Sequence, residues 1–250
     1  MNSCSNKRSN NGQALIVTSL IIALLLISTI CYVLETEKNT ISLESTNEIE
    51  VSEIKESIRN TVISALANIS NHGSKEVLNK DLEMLSTALH AHSYDPESDL
   101  SFTLFNSSTY QDGTWISWGD PGFGVSSACA SFSINESGLA MNYFTTYKLN
   151  ITTTLQIEGT CKREGAEETV NLNCTVHDEN GPVLVNKLDI LYLLNQTDGS
   201  WQKGPQQNNP PIGNGTYNIS FTVYSLEPIK VSAQISDVRN IFVMANTTWI

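Results

Sequence analysis

Residues 141–158 read MNYFTTYKLNITTTLQIE, and their pattern decides the fold. Tyr143, Thr145, Tyr147, Leu149, Ile151, Thr153, Leu155 and Ile157 share one parity, while Lys148, Asn150, Gln156 and Glu158 share the other. A period of two is that of a β-strand, whose successive side chains point to opposite faces. At about 3.3 Å per residue such a strand is about 60 Å long. A strand this long can bend and serve two sheets.

The same chemistry surrounds it. Residues 101–250 are rich in Thr, Ser, Tyr, Val and Ile, with Gly, Asn and Pro between short runs. Further strands are predicted at 101–106, 114–118, 168–177, 187–195, 216–224 and 229–245, the long one reaching back to 139. From about 148 to 246 the turn spacing of eight to twelve residues and a pair of cysteines suggest an immunoglobulin-like sandwich. Two runs look like the Ig-like modules of prokaryotic surface proteins. One is Val170 to Val183, turning at Asn180-Gly181; the other is Gly215 to Val223, followed by Ile229 to Val238.

Upstream the period changes to that of a helix. Val51, Ile54, Ile58, Val62, Leu66 and Ile69 recur at three- and four-residue steps. Asn71 and Gly73 supply residues that tolerate the left-handed conformation at a helix end. Ser74 is the expected N-cap of a second helix carrying Val77, Leu78, Leu82, Leu85 and Leu89, which Asp95-Pro96 ends. These apolar stripes are expected to pack on the β region behind them.

At the other extreme of the chain, Ala14 to Val33 holds twenty residues without charge, Pro or Gly. As an α-helix it would span about 30 Å, one bilayer hydrocarbon core. Lys7 and Arg8 precede it and Glu35 and Glu37 follow, which places the N-terminus in the cytoplasm and the bulk of the chain outside. The chain is acidic, with 14 Lys+Arg against 26 Asp+Glu. Lys7 and Arg8 are its only charged residues before residue 35, so the outer part is more acidic still. That balance repels nucleic acid.

The N-terminal run Lys7-Arg8, Gly12, Gln13-Ala14-Leu15-Ile16-Val17 resembles a type IV prepilin leader, in its archaeal class III form or that of minor pilins and pseudopilins. The resemblance covers roughly residues 1–35. It implies cleavage between Gly12 and Gln13. Most pilins carry Glu at the fifth mature position, where this chain has Val17, which argues against a major polymer-forming subunit. An uncleaved signal anchor is the alternative.

The expected fold class is therefore α+β. Residues 1–12 would form a basic cytoplasmic leader, 13–34 a transmembrane helix, and 35–95 an extracellular helical stalk or hairpin. A β-rich region (96–147) and an Ig-like antiparallel β-sandwich (148–250) would follow. The expected role is that of a membrane-anchored structural or adhesive surface protein, a minor pilin-like subunit. Its partners would be membrane lipid through residues 14–33, and pilin-like subunits or surface glycans. The alternative is a signal-anchored receptor or binding ectodomain.

Nine Asn-x-Ser/Thr sequons all follow the apolar segment, against about four expected by chance for this composition. Asn68, Asn106, Asn135, Asn150, Asn195, Asn214, Asn218 and Asn246 are the candidate glycosylation sites; Asn173, next to a cysteine on a strand, is the weakest. Trp115, Trp118 and Phe123, set among glycines, are read as a recognition loop or as aromatics that plug the end of a sheet. Cys161 and Cys174 flank a predicted hairpin and form the preferred disulfide, with Cys129 as competitor.

No catalytic motif is present. His90 and His92 fall on different helix faces, and no G-x-S-x-G, H-E-x-x-H or phosphate-binding glycine loop occurs. Asp95, Glu97 and Asp99 form a loose acidic cluster without the Gly and terminal bidentate Glu of a calcium loop, and Asp178-Glu179-Asn180-Gly181 reads first as a hairpin turn. No enzyme activity, cofactor or metal is expected.

Overall fold

A computed structural model describes residues 29–30, 51–92, 99–119, 121–137, 142–194, 200–204, 215–225 and 229–249. The leader and most of the apolar segment lie outside these residues, though Thr29 and Ile30 are helical. Among the described residues no helix is long and apolar enough to cross a membrane. The chain divides into two compact units, Met1–Lys55 and Glu56–Ile250. The first contributes only residues 29–30 and 51–55 to the description, all helical.

The second unit is mostly antiparallel β-structure. Its larger sheet contains β1 (Asp99–Leu104), β2 (Thr114–Gly119), β3 (Phe123–Ser137), β4 (Asn142–Glu164), β5 (Glu167–Asp178), β6 (Gly181–Pro182) and β9 (Thr216–Tyr224). The smaller sheet runs β11 (Phe242–Trp249), β10 (Ile229–Asp237), β7 (Val185–Leu193), β8 (Gln202–Lys203). The alternating run is strand β4, as its period requires. It serves two halves of one sheet and not two sheets: residues 142–156 pair with β3 and residues 153–164 pair with β5. The two β regions thus share one sheet.

Between the sheets lies one apolar core. Leu155 and Ile157 of β4, Val170, Leu172 and Val176 of β5, and Ile219 and Phe221 of β9 meet Ile190 of β7, Val231 and Ile235 of β10 and Val243 of β11. Each fully buried aliphatic side chain contributes about 1.5–3 kcal/mol relative to exposure.

The expected strand at 229–245 is a hairpin. Its turn is fixed by Asp237, whose Oδ1 accepts the backbone N–H of Arg239 at 2.8 Å and of Ile241 at 3.0 Å, with Asn240 at φ 63°. The largest departure is β3, a fifteen-residue strand through Phe123–Ser137 that the alternation rule does not predict. From Gly124 to Ala130 every residue on both its faces is buried, so no polar parity marks it.

Helix α1 (residues 51–70) and helix α2 (Val77–His92) follow the predicted stripes. Ile58, Val62, Leu66, Leu78 and Leu82 are all buried. His72, not Asn71 or Gly73, takes the left-handed conformation, at φ 71°. Gly73 is needed for space, since a Cβ there would lie 2.7 Å from the backbone carbonyl oxygen of Asn68. The Ser74 Oγ accepts the N–H of Glu76 at 3.3 Å, as an N-cap does. Helix α2 packs on β1, and Ser86 Oγ donates to Leu100 O at 2.7 Å. At the end of α1, Ser70 Oγ accepts the N–H of Phe242 at 3.0 Å and Asn71 Nδ2 donates to Asn240 O at 3.0 Å.

Candidate functional site

The three aromatics expected to form one loop lie instead on the β2–β3 hairpin, divided between its faces. Trp118 points inward. Its ring meets Phe242 at 5.1 Å and His72 at 6.0 Å, and its Nε1 donates to Ser126 Oγ at 3.0 Å. Ser126 Oγ in turn donates to Phe242 O at 2.7 Å. Trp118 thus fastens α1 and β11 to the larger sheet, the structural role. Phe123 is 44% exposed on the outer face, yet its register is four residues from Ser127, the partner of Trp115. That is about 13 Å along the strand.

Trp115 belongs to a different group. On the outer face, its ring lies 5.8 Å from that of Tyr110, and Tyr110 lies 5.4 Å from Phe105. The ammonium of Lys148 sits 4.1 Å over the Phe105 ring. Below this ladder Ser127, fully buried, shares hydrogen bonds with Tyr110 Oη at 2.8 Å, Asn150 Oδ1 at 3.0 Å and Thr152 Oγ1 at 2.6 Å. Asn106 flanks the other end, its Oδ1 accepting the N–H of Asp112 at 2.8 Å. Two sequons therefore border one aromatic ladder. Sequence reading singled out Trp115 but missed Phe105 and Tyr110, because only the loop at 105–113 brings them to the β2 face.

The other sequons are scattered. Asn68 is exposed on α1 and Asn218 on β9; Asn135 on β3 and Asn246 on β11 are half-buried. Asn195 and Asn214 lie outside the described residues. Asn173 stands directly opposite Asn218, and its Oδ1 is buried without a hydrogen-bond partner, as is that of Asn246.

The expected Cys161–Cys174 bridge is not formed, and Cys129, Cys161 and Cys174 are free thiols. The register explains it: Cys161 faces Val170, whereas Cys174 faces Ile157. An offset of four residues is about 13 Å, beyond the ~7 Å that a disulfide spans between Cα atoms. Cys129, opposite Asn150, cannot substitute, because that position lies on the outer face and Cys174 lies in the core. Burial pushes the Cys174 thiol up to about 12. Native alkylation at mildly basic pH is therefore expected to spare Cys174. Unfolding without reductant should label all three cysteines, and peptide mapping checks both; a crosslinked Cys161–Cys174 peptide would refute the register.

A second constellation is electrostatic. The Arg239 guanidinium donates from Nη1 to both oxygens of Glu179 at 2.8 Å and from Nε to Asp237 Oδ2 at 2.9 Å. Its Nη2 reaches Thr152 O at 3.1 Å and Thr153 Oγ1 at 3.0 Å. Arg59 of α1 adds Nη2 to Glu179 Oε1 at 3.0 Å. Two cations face two carboxylates, joining α1, β4, the β5–β6 turn and the β10–β11 turn. Burial is the largest single influence and raises Glu179, but the hydrogen bonds from Arg239, those from the backbone N–H groups of Glu179 and Thr152, and the Arg239 charge together outweigh it and hold the carboxyl below its usual value. The turn at Asp178–Gly181 is thus a hairpin whose glutamate belongs to an ion-pair network. Asp99 lies in β1, while Asp95 and Glu97 fall outside the described residues. Among the described residues no three metal-ligating side chains come together.

Fold and site define a class: an antiparallel β protein of two packed sheets with helices fastened to it, bearing an aromatic ladder between two sequons. No family model, curated protein or solved structure matches the chain.

Proposed function

We propose that this is a membrane-anchored cell-surface protein with a structural or adhesive role, a minor pilin-like subunit that performs no catalysis. The observation that carries the reading is the charge-free run Ala14–Val33 between Lys7-Arg8 and Glu35, preceded by Gly12-Gln13. It orients a single span with the N-terminus in the cytoplasm and residues from about 35 onward outside. Its partners are membrane lipid, and pilin-like subunits or surface glycans.

Strand order supports an Ig-like module within residues 148–250. β4, β5 and β9 adjoin in one sheet, and β11, β10, β7 and β8 in the other. That is the division of strands A, B, E and G, F, C, C′ in sandwiches of this kind. In such modules the loops and outer faces carry recognition while the sheets supply rigidity.

The N-terminus of membrane-extracted native protein, determined by mass spectrometry, tests the reading. A chain beginning at Gln13 is expected. A chain beginning at Met1 or Asn2 would replace the pilin-like subunit with a signal-anchored ectodomain.

A further inference from the structure

We propose that Asn150 carries an N-linked glycan whose first sugar lies against Tyr110 and Trp115, so that the aromatic ladder is a platform for the protein's own modification. This rests on the proposed placement of residue 35 onward outside the membrane.

Asn150-Ile151-Thr152 is an acceptor sequon, and Asn150 is exposed on the outer face of β4. Its Oδ1 is tied to the sheet. Ser127 Oγ donates at 3.0 Å, with longer contacts from Tyr110 Oη and Thr152 Oγ1, both 3.4 Å. The amide is planar, so with Oδ1 held by these donors Nδ2 projects beside them instead of toward them. N-glycosylation replaces one hydrogen on Nδ2 and leaves Oδ1 an acceptor, so these bonds survive the modification. The sugar attached there stands over the ring already bonded to Asn150, that of Tyr110, with Trp115 beside it. The C–H faces of a pyranose pack on such rings as apolar groups do, with a polar rim left to solvent. Phe105 is less suited, because Lys148 occupies its ring face.

Other sequons lack this arrangement. Asn173 and Asn218 are directly opposed on β5 and β9. At about 5 Å between Cβ atoms, two glycans there would collide, so at most one is carried. Asn246 turns a buried, unbonded Oδ1 into the protein.

Glycopeptide mapping of the full chain purified from its native membrane is the first test. Asn150 is expected to be occupied, and Asn173 and Asn218 never together. The second measurement compares melting temperatures of chain made in the native host with chain made in a host without N-linked glycosylation. Glycosylation is expected to raise the wild-type midpoint by about 2–4 °C. That increment should vanish in Asn150→Gln and in the double variant Tyr110→Ala, Trp115→Ala. Occupied sequons with a bare Asn150 would overturn the inference and leave the surface placement standing. An occupied Asn150 whose increment survives in the double variant would overturn the platform. A chain beginning at Gln13 with no glycan anywhere would overturn the inference alone; a chain beginning at Met1 with no glycan would remove the support for both.

Discussion

Arg239→Met is expected to lower the unfolding free energy by about 3–5 kcal/mol, the range for removing one partner of a buried ion pair. The size comes from what is left behind. Asp237 is 1% exposed and Glu179 has a side chain only 15% exposed, so both carboxylates would stay out of water without their main cation. Arg239 also bonds Thr152 O and Thr153 Oγ1, so β4 would lose contacts to the β10–β11 turn as well. In a unit of this size each kcal/mol shifts the melting midpoint by about 2–4 °C, so a fall of about 6–20 °C is expected. The conservative Arg239→Lys should recover little, because an ammonium cannot grip both Glu179 oxygens while reaching Asp237.

A change in pH distinguishes a lost charge network from a mere cavity. In the wild type Glu179 sits below its ordinary 4.5 once folded. Its contribution is complete above about pH 4.5 and is lost as pH falls through the lower folded value, because the unfolded chain then binds the proton more readily. Arg239→Met removes hydrogen bonds and a charge, so the folded carboxyl titrates higher than in the wild type, held down only by Arg59 and the backbone N–H groups. The variant's deficit should therefore shrink as pH falls from about 7 to about 3, while a cavity would leave it constant. Denaturant midpoints of both proteins across that range decide it; parallel curves would refute the electrostatic account.

The sequence was legible where one face meets water. β4, β5 and β9 alternate because their outer positions are solvated, and α1 and α2 show stripes for the same reason. β3 was not legible. Its run Gly124-Val-Ser-Ser-Ala-Cys-Ala130 is buried on both faces, and its small residues are weak strand formers. Their size answers to neighbours outside the strand, β11 far away in sequence on one face and the loop carrying Tyr110 on the other. The failed disulfide has a similar cause. Sequence separation located the hairpin between Cys161 and Cys174, but register depends on where the turn closes. The turn at Gly165, φ 69°, pairs Glu164 with Glu167 and so slides the cysteines four residues apart. One of the three rings of the aromatic ladder was visible as Trp115, whereas the partnership with Asn150 passes through Ser127, a residue with no distinguishing local pattern.

Gly124→Ala is expected to be about as damaging as the loss of Arg239, for a steric reason. A Cβ at residue 124 would lie 2.1 Å from the carbonyl oxygen of Met244 and 2.8 Å from its carbon. These are backbone atoms of β11, so no rotamer change relieves the contact. β11 would have to move away from β3. It is held there by Gly122 N–H donating to Asn246 O at 2.7 Å and by Ser126 Oγ donating to Phe242 O at 2.7 Å. Moving it would also part Val243 and Ala245 from the core between the sheets. Overpacking alone costs about 1–3 kcal/mol. Losing one of these hydrogen bonds so that a buried group is left unpaired adds about 1–3 kcal/mol, so about 2–6 kcal/mol is expected in total. Gly119→Ala is the control, since nothing lies within 4 Å of a Cβ there, and it should change the midpoint little. Equal midpoints for the two variants would mean that β11 does not lie against β3. If instead the damage falls on residue 124 alone, the glycines of this hairpin serve the approach of two sheets. In the sequence alone they look like the frame of a recognition loop. The aromatic that can face a ligand is then Trp115, the one set away from them.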